Sequence, residues 1–297
     1  MSRDKVYVAA RNRINRRAKT NAILRYAILI FVGIILIYPL IWMVGSTFKE
    51  NIDIMTGGLG VLPPEGRWRF DAFSSAWQLS TTRNMAFYYM NTMRFLIPRV
   101  VGTVLSCTLV AFAIGRFSFP GKKIFFTIVL ITLLMPELAF RIPVFILYSN
   151  LNLVNTFASL YLHDFLGVNS FFVFMIIQFM RTIPRELDEA SVIDGCGPLR
   201  TLFFILVPVL RPIIITVGLL TFMWGMNDFQ GPLIFLRSPE NNVLAQGLRS
   251  VMEAYEEVPH FGRNFAAAFM GLVPTIGIFF LCSRYFVDGE TRSGGKE

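Results

Sequence analysis

Residues 27–44 read Ala-Ile-Leu-Ile-Phe-Val-Gly-Ile-Ile-Leu-Ile-Tyr-Pro-Leu-Ile-Trp-Met-Val, an apolar run without a single charge. A helix needs about 20 predominantly apolar residues to cross roughly 30 Å of hydrocarbon, and this run with its flanks, 21–46, supplies them. It lacks the period-two alternation of a barrel strand. Every backbone amide in lipid must be bonded internally, so a helix is the form such a run takes. The basic leader ahead of it is long, the apolar stretch exceeds the about 7–15 residues of a signal-peptide core, and no A-x-A site follows. We therefore read a retained span.

Working outward, comparable runs fall at 95–114, 124–148, 157–180, 206–226 and 265–286, which makes six expected spans. The composition agrees. Hydrophobic residues make up 54% of the chain and charged ones 16%, and the mean hydropathy is +0.56, more apolar surface than one water-soluble core of this length can bury. The expected fold class is all-α: a polytopic membrane protein with six transmembrane helices. Residues 1–20 form a basic tail, 21–286 the membrane domain with a polar loop at 181–200, and 287–297 a second tail.

Basic residues set the orientation. Arg3, Lys5, Arg11, Arg13, Arg16, Arg17, Lys19 and Arg25 precede the first span against the single acid Asp4, which places the amino terminus in the cytoplasm. Arg116, Lys122 and Lys123 repeat the signal after span two, whereas residues 150–156 after span three carry no charge. Even parity returns the carboxyl terminus to the cytoplasm, and the loop at 181–200, with Arg181, Arg185 and Arg200, faces the same side. The net charge of +9 is then this positive-inside bias, and no nucleic-acid partner is expected.

The residues that carry chemistry in enzymes are sparse. Cys107, Cys196 and Cys282 show neither a disulfide framework nor metal spacing. His163 and His260 lack H-E-x-x-H or cysteine partners, and no G-x-x-x-x-G-K-[ST] phosphate loop is present. No metal and no catalytic residue is expected.

Between spans four and five the chain runs Ile183-Pro184-Arg185-Glu186-Leu187-Asp188-Glu189-Ala190-Ser191-Val192-Ile193-Asp194-Gly195, then nine residues, then Ile205-Leu206-Val207-Pro208. Pro184 suits a first helical turn, and Glu186, Asp188 and Glu189 complement the positive end of a helix dipole. A short helix is expected there, presenting Leu187, Ala190 and Ser191 on one side as small groups that let a partner approach. Asp194-Gly195 breaks it, because glycine tolerates positive φ, and a second segment starts near Pro198. The result is a helix-turn-helix knuckle on the cytoplasmic side, with Glu189 able to pair with a basic group of a partner. A connecting interfacial helix is the plainer reading of the same residues.

This spacing resembles the E-A-A-x-x-x-G, nine residues, I-x-L-P signature of permease subunits in bacterial ABC importers, departing at Ser191 and Val207. The segment Phe222-Met-Trp224-Gly-Met-Asn227-Asp228-Phe229-Gln-Gly-Pro232-Leu233, with Asn264-Phe265-Ala-Ala-Ala268 and Phe286-Val-Asp-Gly289, is similar to the MalG-like side of the carbohydrate-type family. The resemblance runs from about residue 34 onward. It implies a bacterial inner-membrane protein that pairs with a homologous MalF-like permease, an ATP-binding subunit dimer and an extracytoplasmic solute-binding protein. The ATPase hydrolyses ATP with Mg, and this chain binds no cofactor itself. Glu186, Leu187, Glu189, Ala190, Ser191, Asp194, Gly195 and Pro208 become the expected ATPase-coupling residues. The cargo implied is a di- or oligosaccharide, with glycerol-phosphate-type solutes as an alternative. In MalG-like subunits the extreme tail reaches between the ATPases; here Glu290 and Arg292 interrupt the small-apolar run, so insertion and a solvated terminus both stay open.

Polar residues at membrane depth are costly and usually face a cavity or one another. Glu137 and Arg141 in span three, four residues apart and bracketed by Pro136 and Pro143, can pair on one helix face. Asp164 and Asn169 interrupt span four, where an unwound or water-exposed stretch is expected, and Asn227 ends span five. Glu137, Arg141, Asp164, Asn169 and Asn227 are the candidate lining of a substrate path. Each has a packing alternative: a fixed ion pair, a hydrogen bond to a neighbouring helix, a cap. The aromatic segment at 51–83 suits the membrane surface, and the loop at 237–263, with Glu253, Glu256 and Glu257, lies where the family approaches its binding protein. An ion-coupled secondary transporter is the rival class, but no internal repeat supports it.

Overall fold

The computed structural model describes residues 3–79, 82–136, 138–167, 169–252 and 260–293. Among them every regular element is helical: α1 Arg3–Ser46, α2 Asn51–Thr56, α3 Ala72–Trp77, α4 Met85–Arg116, α5 Lys122–Leu134, α6 Leu138–Asn150, α7 Ala158–Tyr161, α8 Ser170–Met180, α9 Glu186–Ile193, α10 Pro198–Arg200, α11 Val207–Val209, α12 Arg211–Met226, α13 Gln230–Phe235, α14 Leu244–Met252 and α15 Phe261–Ser293. A 3₁₀ turn at Leu162–Leu166 joins α7 to α8, and a π-helix at Thr201–Leu206 lies between α10 and α11. Four helical stretches are long and apolar enough to cross a membrane, and counting each of two bent pairs as one span brings the number to six. A lipid bilayer is the solvent that such helices suit.

The described residues fall into two compact units, one within 1–75 and 256–269, the other within 76–255 and 270–297. In the first, the apolar stretch of α1 buries nothing; Ile23, Leu36 and Phe31 stand exposed, as lipid-facing side chains do. Beyond its end, Phe48 packs among Trp68, Phe70 and Phe73 at centroid distances of 6.1, 5.8 and 6.0 Å. Lys49 donates to the Gly60 carbonyl and lies 5.6 Å from the Trp42 ring centroid. Burial pushes its ammonium below the usual lysine range, and Asp53 opposes that shift. A polar cavity of about 160 Å³ adjoins it, lined by Asn51, Arg69, Asp71, His260 and Arg263 among others.

The second unit is built around α4, against which α8 and α12 pack. Phe112, Phe172, Ile176, Met180, Leu202, Leu206 and Val217 form its core. Small residues let the helices close up: a Cβ on Gly102 would stand 2.7 Å from the Phe165 ring, and one on Gly247 2.8 Å from Tyr88. This is how membrane helices pack where apolar burial gives no preference for helix over lipid.

Several expected boundaries move. Span two begins at Met85 rather than 95, its start fixed by Asn84, whose side chain accepts from the Phe87 amide at 3.2 Å. Span three is not one helix. α5 and α6 meet at 106°, and the break falls where Met135 precedes Pro136, whose ring disfavours α geometry in the residue before it; Met135 is extended at φ −80°, ψ 134°. Span five also bends, by 82°, between α11 and α12. Its membrane helix starts at Arg211 instead of 206, since Pro212 cannot donate a bond back across the break. Span four is interrupted as its polar residues suggested, with Gly167 at φ +66° turning the chain from the 3₁₀ segment toward α8.

Candidate functional site

Two groups of polar residues lie in the second unit. The first is the knuckle. α9 starts at Glu186, two residues later than Pro184 suggested, with Glu186, Asp188 and Glu189 in its first turn. It ends in a Schellman arrangement. The Cys196 amide donates to the Ser191 carbonyl at 2.9 Å and the Gly195 amide to Val192 at 3.0 Å. Gly195 has φ +74°, the left-handed conformation that this cap requires and that a Cβ opposes. Pro198 then occupies the first turn of α10 after Gly197, so the helix-turn-helix build is present.

The faces of the knuckle differ in part from expectation. Leu187 is 39% exposed, Val192 70% and Ile193 86%, and Glu186, Glu189, Ala190 and Asp194 are exposed as well. Ser191, by contrast, is buried at 1% and turned inward, correcting its placement on a partner-facing side. Its hydroxyl lies 2.9 Å from that of Thr201 and donates to the Asp188 carbonyl at 2.6 Å. The small residue lets the two halves of the knuckle approach one another. Pro208 sits in α11, between the buried Leu206 and Leu210. Beneath the loop a cleft of about 210 Å³ is lined by Phe112, Arg116, Asp188, Glu189, Cys196 and Thr201, with others.

The second group is an ionic cluster around Arg99 of α4. The Asp164 side chain, 3% exposed, lies 3.6 Å from Arg99 Nε and 3.4 Å from His163 Nε2. Thr103 Oγ1 donates to Asp164 Oδ1 at 3.1 Å, and Ser106 Oγ donates to the Asp164 carbonyl at 2.6 Å. Arg99 Nη1 reaches onward to Asp228 Oδ2 at 3.0 Å, and Asp228 Oδ1 in turn accepts from the Gly231 amide at 2.9 Å. One arginine on α4 thus joins the 3₁₀ break of span four to the segment that follows span five. Asp164 itself is buried within the unwound stretch expected around it, which is the 3₁₀ segment; its bonds go to the neighbouring helix, the packing alternative.

The other path candidates are separate. Asn169 caps α8 through the Phe172 amide at 3.4 Å. Asn227 is exposed at the end of α12 and donates to the Met223 carbonyl at 2.8 Å. Arg141 is half-buried in α6, while Glu137 lies outside the described residues, as do Glu253, Glu256 and Glu257 of the later loop. α15 continues through the start of the carboxyl tail to Ser293, and residues 294–297 lie outside the described residues.

The sequence reading missed Arg99, although the signal was there: it is the only charge within 95–114, and an ionisable residue at membrane depth is a functional candidate by default. Its acids are distant in sequence, and no spacing reveals them.

The polytopic helical fold with its capped, exposed knuckle matches, as a class, a membrane component of a transport system. The chain belongs to the family described as the binding-protein-dependent transport system inner membrane component, whose model matches residues 107–287. It is 28% identical to the diacetylchitobiose uptake system permease protein NgcG of Streptomyces coelicolor over 89% of this chain and 85% of that one. It is also 28% identical to the galactooligosaccharides transport system permease protein GanQ of Bacillus subtilis, over 91% and 94% of the two chains. In fold it is similar to a chain of a bacterial ABC transporter involved in the import of the acidic polysaccharide alginate, with a TM-score of 0.76, 19% identity, and coverage of 91% and 98%.

Proposed function

We propose that this chain is a membrane subunit of an ATP-driven importer for a di- or oligosaccharide, forming half of the translocation path and powered through the knuckle at 186–195. The observation that carries the coupling role is the exposed first turn and apolar flank of α9, Glu186, Leu187, Glu189, Val192 and Ile193, on a helix locked by the Gly195 cap and the Ser191–Thr201 contact. A helix so held transmits displacement as a rigid body. Leu187 and Ala190 offer the docking surface, Glu189 the charge for a basic partner group, and Asp194, Gly195 and Pro208 the fixed angles.

ATP and Mg belong to a partner ATPase dimer, which meets the knuckle on the cytoplasmic side together with both termini. A homologous MalF-like subunit completes the path, and an extracytoplasmic binding protein delivers the cargo. The sugar cargo is supported by the two relatives named for diacetylchitobiose and galactooligosaccharides. Among the path candidates we place the exposed Asn227 beside the cargo and assign Asp164 to helix packing.

The test is uptake into vesicles holding the purified complex, with and without internal ATP, offering disaccharides, oligosaccharides and glycerol 3-phosphate through the cognate binding protein. ATP-dependent sugar uptake is expected. Uptake driven by an ion gradient alone would overturn the powering, and uptake of glycerol 3-phosphate without sugar would overturn the cargo.

A further inference from the structure

Arg116 ends α4, and its side chain is only 7% exposed. Its Nη1 and Nη2 each donate to the Ile183 carbonyl at 3.2 Å, while Nε stands 3.2 Å from Asp188 Oδ2. Ile183 is the buried residue just ahead of the knuckle and Asp188 lies in the first turn of α9. One planar guanidinium therefore holds both the chain entering the knuckle and the knuckle helix itself. The guanidinium donates twice to the Ile183 carbonyl while its charge faces Asp188 in an ion pair without a hydrogen bond, an arrangement that an ammonium reproduces only in part, and a cation here also complements the negative end of the α4 dipole.

The chain path makes the contact consequential. Spans four and five are covalently continuous with the knuckle, but α4 is not; it is followed by α5. We propose that Arg116 is a positioning residue that makes α4 move with the knuckle, so that displacement by the ATPase is delivered to span two as well as to the spans flanking the loop. α4 is a single helix of 32 residues, about 48 Å at 1.5 Å per residue. It carries Arg99, and hence the Asp164 and Asp228 contacts, on the same rod as Arg116. A pull at Arg116 thus reaches the ionic cluster without any intervening loop. This rests on the knuckle being the point where the ATPase acts.

The experiment compares Arg116→Gln, Arg116→Lys and Asp188→Asn in the reconstituted complex, reading ATPase co-purification, ATP hydrolysis and uptake per ATP hydrolysed. For Arg116→Gln we expect the ATPase to stay bound and hydrolysis to continue, while uptake per ATP falls about tenfold, within the usual range of coupling between sites. Arg116→Lys restores part of the ratio. Asp188→Asn lowers it less, because the Ile183 contacts remain, and it carries the test if the glutamine variant does not assemble. Uptake per ATP unchanged in Arg116→Gln, or in Asp188→Asn where that variant stands in, overturns the proposal. So does loss of the ATPase in step with uptake in both variants, which would make Arg116 a support of the docking surface. Leu187→Asp separates the two ideas: if it leaves the ATPase bound and uptake intact, the knuckle is not the docking point, whatever Arg116 does.

Discussion

Replacing Arg99 by Met should destabilise the membrane domain more than neutralising Asp164, although the two residues form one ion pair. Arg99 has two acids, Asp164 at 3.6 Å and Asp228 at 3.0 Å, with its own side chain 19% exposed. At an effective dielectric of about 20, two unit charges 3.6 Å apart attract by about 4–5 kcal/mol before desolvation is counted. Removing the arginine strands Asp164, buried at 3% side-chain exposure with Thr103 and His163, and leaving a buried charge without its partner costs about 3–5 kcal/mol. Asp164→Asn leaves Arg99 on Asp228 and keeps an acceptor for Thr103; it gives up a 3.6 Å ion pair that carries no hydrogen bond and turns the Thr103 bond from a charged into a neutral one, a cost of about 1–2 kcal/mol. The double variant removes both charges together and should recover about 1–3 kcal/mol relative to the sum of the single ones. Equilibrium unfolding of the purified protein in mixed micelles, followed by helicity, measures all three; at about 1.4 kcal/mol per tenfold, Arg99→Met changes the folding constant by roughly 100- to 4,000-fold. Equal losses in Arg99→Met and Asp164→Asn, or strict additivity in the double variant, would refute the shared-arginine account.

Gly195→Val should cost about 1–2 kcal/mol through its positive φ alone, because no atom lies within 4 Å of a Cβ built there; Gly195→Asn should cost less, and a thermal shift that ranks them otherwise counts against the cap. Gly247→Val drives a Cβ into the buried Tyr88 ring at 2.8–3.0 Å, so a loss of about 1–3 kcal/mol is expected, with Tyr88→Ala partly restoring it in the same unfolding assay. Ser191→Ala removes the 2.9 Å contact with Thr201 but leaves that hydroxyl its Gly197 acceptor at 3.3 Å. The loss should be about 0.5–1.5 kcal/mol. Ile193→Ser, at an 86% exposed position, should leave stability within about 0.5 kcal/mol yet weaken ATPase binding in pull-down titrations; unchanged binding would remove Ile193 from the docking surface.

Much of the membrane architecture could be read in advance because each span is a local property: about 20 apolar residues in a row make a helix in lipid whatever the rest of the chain does. The knuckle was legible for the same reason. Acids in a first turn, a glycine after the last, and a proline opening the next segment are short-range signals. The bends were only half visible. Pro136 marks where span three must break, but no short-range signal gives the 106° between its halves.

Sequence by itself determined that the chain is a helical membrane protein, that the loop between spans four and five forms two helical pieces around Gly195, and that the loop carries the family's signature. Tertiary structure decided which side of α9 faces inward, because Ser191 is small enough to meet Thr201. It also paired Arg99 with Asp164 and Asp228, and Arg116 with Ile183 and Asp188. Those contacts join residues far apart in the chain. Helix propensity and hydropathy act over a few turns, whereas which acid an arginine meets depends on how whole helices close against one another.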